Sequence, residues 1–233
     1  MNKVISDNYN QIYHKMLWDL NAKPDFQGLG EDKKYKERIN VGFNLTDPSR
    51  FAVMSKSRSV DYKYAKDFWS FMQSGKEYLP EEFIEEYPHA KRFLESGELP
   101  ETFSSAYGPK IKRQLPRIIK LLKSNPDTRW AVINILLEED KKIWDHKTTM
   151  EYPCCNTIHF MIRNGELHMM VSMRSNNMVI VIAYDVYLNI QLMEKVAKEL
   201  KIPLGTYNHN VNSAHFFGKQ QLLVNKILEE YYG

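Results

Sequence analysis

The sequence predicts a single domain, residues 1–233, of the α/β (α+β) class, and three observations carry this prediction. The chain has 233 residues, 43% of them hydrophobic and 26% charged, which suits one globular core. Two β-prone runs at residues 157–163 and 167–173 flank Asn164-Gly165, the strongest short-range signal of a β-hairpin. Apolar residues at helical spacing lie on both sides of that hairpin, so helices and strands share the chain.

In the first half of the chain, apolar residues three or four apart predict an amphipathic helix within residues 1–23. Residues 24–38 carry two glycines and several basic residues, which predicts a surface loop or a basic flap over an anionic ligand. Residues 39–45 predict a short strand, and residues 61–73 an apolar helix that ends near Gly75. Asp67 lies in the middle of that helix.

In the second half, four proline or glycine residues interrupt residues 77–103, which predicts a short helix around 81–95. Apolar spacing predicts further helices at residues 112–123, 185–200 and 221–232. Residues rich in valine and isoleucine predict strands at 129–137 and 206–211.

Composition restricts the kinds of partner. The formal net charge is +3 and the charges are interleaved, so no nucleic acid partner is expected. No run approaches the roughly 20 apolar residues of a membrane span, and the N-terminus lacks a signal-peptide pattern. We therefore expect a cytoplasmic protein with no membrane contact. The two cysteines are adjacent, which predicts free thiols, and their spacing from His159 and His168 matches no common metal site.

The residues around the hairpin hold the unusual chemistry. Pro153 places Cys154 just before the first strand, and Arg174-Ser175 follows the second in sequence. A thiol and a forked cation then share one sheet edge, which suits attack on an anionic substrate. Taken alone, the same residues also fit a buried thiol and a polar turn.

Four motifs occur together in a recognisable order: Pro153-Cys154, Arg174-Ser175, a helix at Asp185, and residues 202–205 followed by Ala214-His215. In this the chain resembles the thymidylate synthase superfamily over about residues 50–220. The runs at residues 154–157 and 173–176 resemble the phage deoxycytidylate (dCMP) hydroxymethylase branch more than the synthases themselves. The resemblance implies a large mixed β-sheet flanked by helices, and a homodimer with shared active sites.

The resemblance also implies roles for individual residues. Cys154 is the thiolate that adds to ring carbon 6 of a pyrimidine nucleoside monophosphate. Asp67 aligns with the catalytic glutamate of the family, and Tyr107 lines the pocket near the reacting ring. These three residues are the catalytic candidates.

The substrate-binding candidates follow from the same resemblance. Arg174 and Ser175 are expected to bind the 5′-phosphate, which Arg129 of the partner subunit completes. His215 is expected to meet the sugar hydroxyl, and Phe217 stands where the family has a tyrosine that shares this hydroxyl.

Asp185 is the residue expected to determine specificity for cytosine over uracil. The family's uracil-specific members carry asparagine here and its cytosine-specific members carry aspartate. A carboxyl group can accept a hydrogen bond from the amino group of cytosine. The alternative is that Asp185 only caps the N-terminus of its helix.

The cofactor expectation is 5,10-methylenetetrahydrofolate, without a metal. Asn177 occupies the position of the acidic residue that holds the pterin in the family, so it is the cofactor-binding candidate and the reason to leave folate use open. The leading hypothesis is 5-hydroxymethylation of CMP or dCMP. The alternatives are a folate-independent homologue acting on a cytosine or uracil nucleotide, and a nucleotide-binding paralogue without catalysis.

Overall fold

The computed structural model describes residues 3–28, 34–93, 107–140 and 152–233, which form one mixed β-sheet with helices around it. The strands are β1 (Lys3–Ser6), β2 (Phe26–Gly28), β3 (Tyr35–Leu45), β4 (Val132–Asn134), β5 (Cys155–Arg163), β6 (Glu166–Asn177) and β7 (Leu204–Phe217). The helices are α1 (Tyr9–Ala22), α2 (Tyr62–Ser74), α3 (Glu81–Glu86), α4 (Tyr107–Ser124), α5 (Ile182–Leu200) and α6 (Gln221–Tyr232). In the described part of the chain, no helix has the length and apolar character needed to cross a membrane.

The sheet has the strand order β1-β3-β7-β6-β5-β4, with β2 paired to β3. The pairs β1–β3 and β6–β7 are parallel and the others are antiparallel. Helix α5 makes the crossover between β6 and β7, as parallel neighbours require. The sheet therefore places the ends of β6 and β7 side by side.

The predicted hairpin is confirmed. Strands β5 and β6 are joined by Asn164 and Gly165, whose φ angles are 53° and 79°. A type I′ turn needs positive φ at both central residues, and asparagine and glycine tolerate it best. Cys154 precedes the first strand, as expected, but Arg174 and Ser175 lie within β6 because this strand continues to Asn177.

The core lies between the sheet and its helices. Alternate side chains of β6 are buried, namely Leu167, Met169, Val171 and Met173. They belong to one cluster with buried residues of α5, including Val186, Ile190 and Met193. Truncating one such side chain to alanine costs about 2–5 kcal/mol. The core thus fixes α5, whose first turn carries Asp185.

The structure corrects two predictions in the N-terminal region. Lys3–Ser6 form a strand rather than the first turn of a helix, because they pair in parallel with Gly42–Leu45. The predicted loop at residues 24–38 contains β2 and the beginning of β3. Residues 29–33, within the same predicted loop, lie outside the described residues.

Element boundaries also differ in the middle of the chain. Helix α4 begins at Tyr107, five residues before the predicted start. The predicted strand at 129–137 is confined to Val132–Asn134, because only these residues pair in register with β5. The predicted helix at 81–95 divides into α3 and a 3₁₀ turn at Pro88–Phe93. Its last residues, 94 and 95, and Ala106 before α4 lie outside the described residues.

Candidate active site

The candidate site forms where the beginning of β5, the end of β6 and the first turns of α4 and α5 meet. Cys154 is half-buried immediately before β5. Its carbonyl oxygen accepts the backbone N–H of Arg174 at 2.8 Å. The hairpin therefore brings together the two residues that the sequence placed at one sheet edge.

The guanidinium of Arg174 binds the segment that precedes Cys154, the predicted nucleophile. Its Nε donates to the carbonyl of Pro153 at 2.9 Å and its Nη2 to that of Tyr152 at 2.7 Å. Nη2 also lies 3.8 Å from Cys154 Sγ. A cation at this distance favours the thiolate, which is the reactive form of cysteine.

The hydroxyl of Tyr107 holds the other side of the same segment. Its oxygen accepts the backbone N–H of Cys154 at 3.0 Å and that of Cys155 at 3.1 Å. Burial, followed by the two thiols, raises the pKa of Tyr107 well above its usual value, so the phenol keeps its proton. Gly108 allows this placement because a Cβ there would lie 2.5 Å from the carbonyl oxygen of Met72 in α2.

Three substrate-binding candidates meet at the ends of β6 and β7. Ser175 Oγ lies 3.4 Å from His215 Nδ1. The ring of Phe217 packs edge-on against His215 with centroids 5.1 Å apart. Burial lowers the pKa of His215, which favours a neutral ring near neutral pH. The result is a hydroxyl and an imidazole beside a partly exposed aromatic ring.

Asp185 lies in the first turn of α5 and is not its N-cap, so the simple capping alternative is wrong. The helix begins at Ile182, and its N-cap is Val181. Asp185 Oδ2 accepts from Asn176 Nδ2 at 2.8 Å. Burial raises the pKa of Asp185 to about 7, although the bond from Asn176 opposes the rise.

Asp185 also lies near the nucleophile segment. Its carboxyl contributes to the raised pKa values of Tyr107 and Cys155. The Cys155 thiol, the Tyr107 phenol and the Asp185 carboxyl are therefore close enough to interact electrostatically.

Asp67 and Arg129 are not brought into this cluster. Asp67 Oδ2 accepts from Tyr87 Oη at 2.7 Å and lies 3.2 Å from Lys63 Nζ. Those partners, Tyr87 first, lower the pKa of Asp67. Among the described residues no hydrogen bond joins Asp67 to Cys154. Arg129 is exposed between α4 and β4.

Asn177 is engaged in the turn after β6. Its Oδ1 accepts the backbone N–H groups of Val179 at 3.2 Å and Ile180 at 2.9 Å. Its Nδ2 donates to Gln220 Oε1 at 3.0 Å. The amide has partners within the chain and carries no charge, so it does not fit the role of a pterin ligand.

Sequence reasoning missed a chain of buried polar residues behind Asp185. Asn176 Nδ2 lies 3.5 Å from His209 Nε2, and His209 Nδ1 lies 2.7 Å from Tyr207 Oη. The alternation of Tyr207, His209 and Val211 along β7 was a usable signal that these side chains point inward. In the described parts of the chain, no three His, Cys, Asp or Glu side chains converge as metal ligands.

Comparison with known proteins agrees with this geometry. The family model described as thymidylate synthase matches residues 8–231. A protein of Methanocaldococcus jannaschii named "Putative thymidylate synthase" is 27% identical over 226 residues, covering 91% of this chain and 87% of the relative. The thymidylate synthase of Mycoplasma genitalium is 20% identical over 215 residues, covering 90% of this chain and 64% of the relative.

The fold prediction is confirmed by a solved structure. Thermostable thymidylate synthase A from Bacillus subtilis superimposes with a TM-score of 0.75, covering 95% of this chain and 84% of that one, at 16% identity. Because the family model spans nearly the whole chain, this protein belongs to the thymidylate synthase family.

Proposed function

We propose that the protein modifies carbon 5 of a cytosine nucleotide, most specifically as a CMP or dCMP 5-hydroxymethyltransferase. The family to which the chain belongs suggests a one-carbon transferase acting on a pyrimidine nucleotide. The observation that carries the cytosine assignment is Asp185. Its carboxyl acts electrostatically on Tyr107 and Cys155, and its Oδ1 receives no hydrogen bond from any described residue.

Cys154 starts the reaction by covalent catalysis. Its thiolate adds to ring carbon 6, and the displaced electron pair makes carbon 5 nucleophilic. Carbon 5 would take the methylene group of the donor and lose its proton, tetrahydrofolate would leave, and water would supply the hydroxyl. Elimination of the Cys154 thiolate then restores the ring. Tyr107 keeps the thiol in place through the two N–H groups next to it.

The nucleotide would be held through its phosphate and its sugar. Arg174 has one terminal nitrogen, Nη1, without a hydrogen bond to the described residues, and Ser175 is its neighbour on β6. Both suit a 5′-phosphate. We propose that Arg129 of the partner subunit completes the phosphate site in a homodimer, because Arg129 is exposed away from its own protomer's site. His215 would meet the sugar hydroxyl, and Phe217 would cover it with an apolar surface.

Asp185 would select the base through its 4-position. The oxygen not bound by Asn176 can accept from the amino group of cytosine when the carboxyl is ionised. A carboxylate at the same place repels the 4-carbonyl oxygen of uracil. A pKa of about 7 leaves much of Asp185 ionised at neutral pH.

The one-carbon donor proposed is methylenetetrahydrofolate, which carries a methylene group at the oxidation level of formaldehyde. Asn177 does not fit as its ligand, because the asparagine amide is bound to the turn after β6 and to Gln220. We therefore assign none of the described side chains to the folate.

The test is product analysis by mass spectrometry with CMP, dCMP and dUMP, each with and without methylenetetrahydrofolate. A mass gain of one hydroxymethyl group on a cytosine nucleotide, abolished by Cys154→Ser, is the expected result. Release of the carbon 5 hydrogen from dUMP alone would contradict the cytosine assignment.

A second candidate function keeps the addition of Cys154 but uses no folate, and the engagement of Asn177 favours it. Turnover of a cytosine or uracil nucleotide without folate would support this candidate. A non-catalytic nucleotide-binding paralogue would instead bind CMP without product, with no change in affinity in Cys154→Ser.

A further inference from the structure

The chain of polar residues behind Asp185 has no role in the proposed reaction. Asn176 is 2% exposed, while His209 and Tyr207 are fully buried. Burying polar groups costs free energy unless they are hydrogen-bonded. Three such groups in contact beneath one functional carboxyl therefore call for an explanation.

The hydrogen bond to Asp185 Oδ2 gives Asn176 its orientation, with the amide nitrogen toward the carboxylate. Burial lowers the pKa of His209 to about 3, so one ring nitrogen donates and the other accepts. We assign the tautomer in which Nδ1–H donates to Tyr207 Oη and Nε2 accepts from Asn176, because the amide nitrogen is the atom that faces both Nε2 and Asp185 Oδ2. The amide then gives one hydrogen to His209 and the other to Asp185 Oδ2. Its own Oδ1 is buried, and no described residue donates to it.

Turning the amide over would place Asn176 Oδ1 against Asp185 Oδ2. Two acceptors would then face each other whenever Asp185 is ionised. His209 opposes this turn, because the tautomer that donates to Tyr207 has a lone pair on Nε2 that requires a donor. Asn176 is thus held as a donor to Oδ2.

This arrangement separates the two oxygens of Asp185 by function. Oδ2 is committed as an acceptor, so a proton taken up by the carboxyl goes to Oδ1. Ionised Oδ1 accepts from the amino group of cytosine, whereas protonated Oδ1 donates to the carbonyl of uracil. The same side chain therefore suits different bases in its two protonation states.

We propose that Asn176, held by His209 and Tyr207, is the positioning residue that makes Asp185 a protonation-controlled selector between cytosine and uracil nucleotides. The proposal rests on the proposed function, since it requires that Asp185 face the base. It adds the residues that determine which oxygen carries the proton.

Among the titratable groups in this part of the core, Asp185 is the one whose charge changes near neutral pH. The titratable groups around it are Tyr9 on α1, Tyr107 on α4, Cys155 on β5 and Tyr207 on β7, which interact with it electrostatically, and His209 on β7, which contacts Asn176. Burial raises the pKa of each phenol and of the Cys155 thiol, and it lowers that of His209. All five are neutral near pH 7, where Asp185 titrates.

The test measures the binding of CMP and UMP, or of their deoxy forms, to Cys154→Ser by calorimetry between about pH 5.5 and about pH 8.5. The Cys154→Ser background removes thiol titration and covalent chemistry. Titration of the phosphate is common to both ligands and cancels in their affinity ratio. Because this ratio follows the ratio of ionised to protonated Asp185, we expect the affinity for CMP relative to UMP to rise about tenfold per pH unit across the whole range. A ratio independent of pH would overturn the proposal.

Variants of the positioning residues provide the second readout. Asn176→Leu keeps the volume but removes the donor to Oδ2. A hydrogen bond to a charged group corresponds to about one pKa unit or more, so its loss should raise the pKa of Asp185 and make the affinity ratio at least about tenfold lower at each pH. His209→Phe leaves Asn176 without its anchor and should shift the profile in the same direction by less. If Asn176→Leu does not fold, Asn176→Ala is measured in its place.

His14→Phe is the matched control, because His14 is a second buried histidine that binds Asn10 on α1 and lies against Tyr231. It should leave the profile unchanged. An unshifted profile in the Asn176 variant would overturn the positioning role while leaving the proposed function intact. Absence of binding of either nucleotide at every pH would overturn the proposed function itself.

Discussion

The hydroxyl oxygen of Tyr107 lies 3.0 Å from the backbone nitrogen of Cys154, and the next peptide nitrogen, that of Cys155, is 3.1 Å away. One phenol thus accepts both N–H groups at the place where the chain enters β5. Because Tyr107 is the first residue of α4, the position of this helix sets the position of Cys154, the proposed nucleophile.

Tyr107→Phe should weaken both the fold and the reaction. The change leaves two backbone N–H groups without their acceptor, and an unsatisfied buried donor costs about 1–3 kcal/mol. We expect a lower free energy of unfolding by urea and a single-turnover rate at least about tenfold lower. Tyr78→Phe, at an exposed tyrosine, is the control. Unchanged rates in Tyr107→Phe would show that the phenol does not position Cys154.

The two adjacent thiols should differ sharply in reactivity. Cys155 is 2% exposed, and burial, followed by Asp185, raises its pKa. Cys154 is half-buried and lies beside Arg174. We expect iodoacetamide to label Cys154 in the folded protein, as read by tandem mass spectrometry of the peptide. Cys155→Ser should retain the labelling, and Cys154→Ser should lose it. Labelling of Cys155 in the folded protein would contradict the predicted difference in reactivity.

Asp185→Asn should shift base preference toward uracil. The amide nitrogen supplies a donor that does not depend on pH and matches the 4-carbonyl of uracil. We expect the ratio of uracil to cytosine turnover to increase at least about tenfold, the equivalent of one hydrogen bond. The turnover of each base is measured as the release of tritium from carbon 5 of labelled dUMP and dCMP. A ratio equal to that of the unmodified protein would remove Asp185 from base selection.

Complementation between two inactive variants tests whether each active site is shared between two subunits. Arg129→Ala and Cys154→Ser should each be inactive alone if Arg129 serves the neighbouring subunit. Random re-association of equal amounts makes about half of the dimers mixed, each with one intact site of two. We therefore expect about a quarter of the unmodified activity after mixing. Persistent inactivity, with dimer exchange verified by mass spectrometry, would place Arg129 outside a shared site.

Glu230 should make the free energy of unfolding depend on pH in the acidic range. Its carboxylate accepts from the backbone N–H groups of Lys56 and Ser57 and from the hydroxyl of Ser55. These bonds, Lys56 first, lower the pKa of Glu230 to about 2. A lowered pKa stabilises the fold above the unfolded value and loses this effect as the pH falls through the folded value.

The free energy of unfolding of Glu230→Gln should accordingly be below that of the parent at neutral pH. The difference should shrink as the pH decreases from about 4.5 toward about 2. Glu229→Gln, at the neighbouring exposed glutamate, serves as the control. A difference that does not change with pH would exclude the carboxylate as its origin.

The parts of the fold that were predicted from sequence depend on local signals. Asn164-Gly165 specifies its turn through the backbone conformation of two adjacent residues. The spacing of apolar residues that predicts α5 lies entirely within that helix. Strand β1 was missed because Lys3–Ser6 become a strand only by pairing with residues about 40 positions later. Pairing at that distance leaves no pattern in a short segment.

In the candidate site, too, the features that follow local sequence motifs were predicted and those that depend on strand pairing were not. Cys154, Arg174 and Asp185 stand in motifs, and the fold brings them together. Asn176 was overlooked because its neighbours Ser175 and Asn177 carry equally polar side chains, and only the register of β6 turns Asn176 toward Asp185. Sequence patterns do not specify that register at the end of a strand.

The bonds of Asn177 have a consequence for the cost of substrate binding. Its amide joins the turn after β6 to Gln220, whose Oε1 also accepts the backbone N–H of Phe217 at the end of β7. The two strand ends that carry Ser175 and His215 are therefore tied together before any nucleotide arrives. Little conformational entropy remains to be lost there on binding. Asn177, predicted from sequence as a cofactor ligand, thus preorganises the strand ends that carry the proposed nucleotide-binding residues.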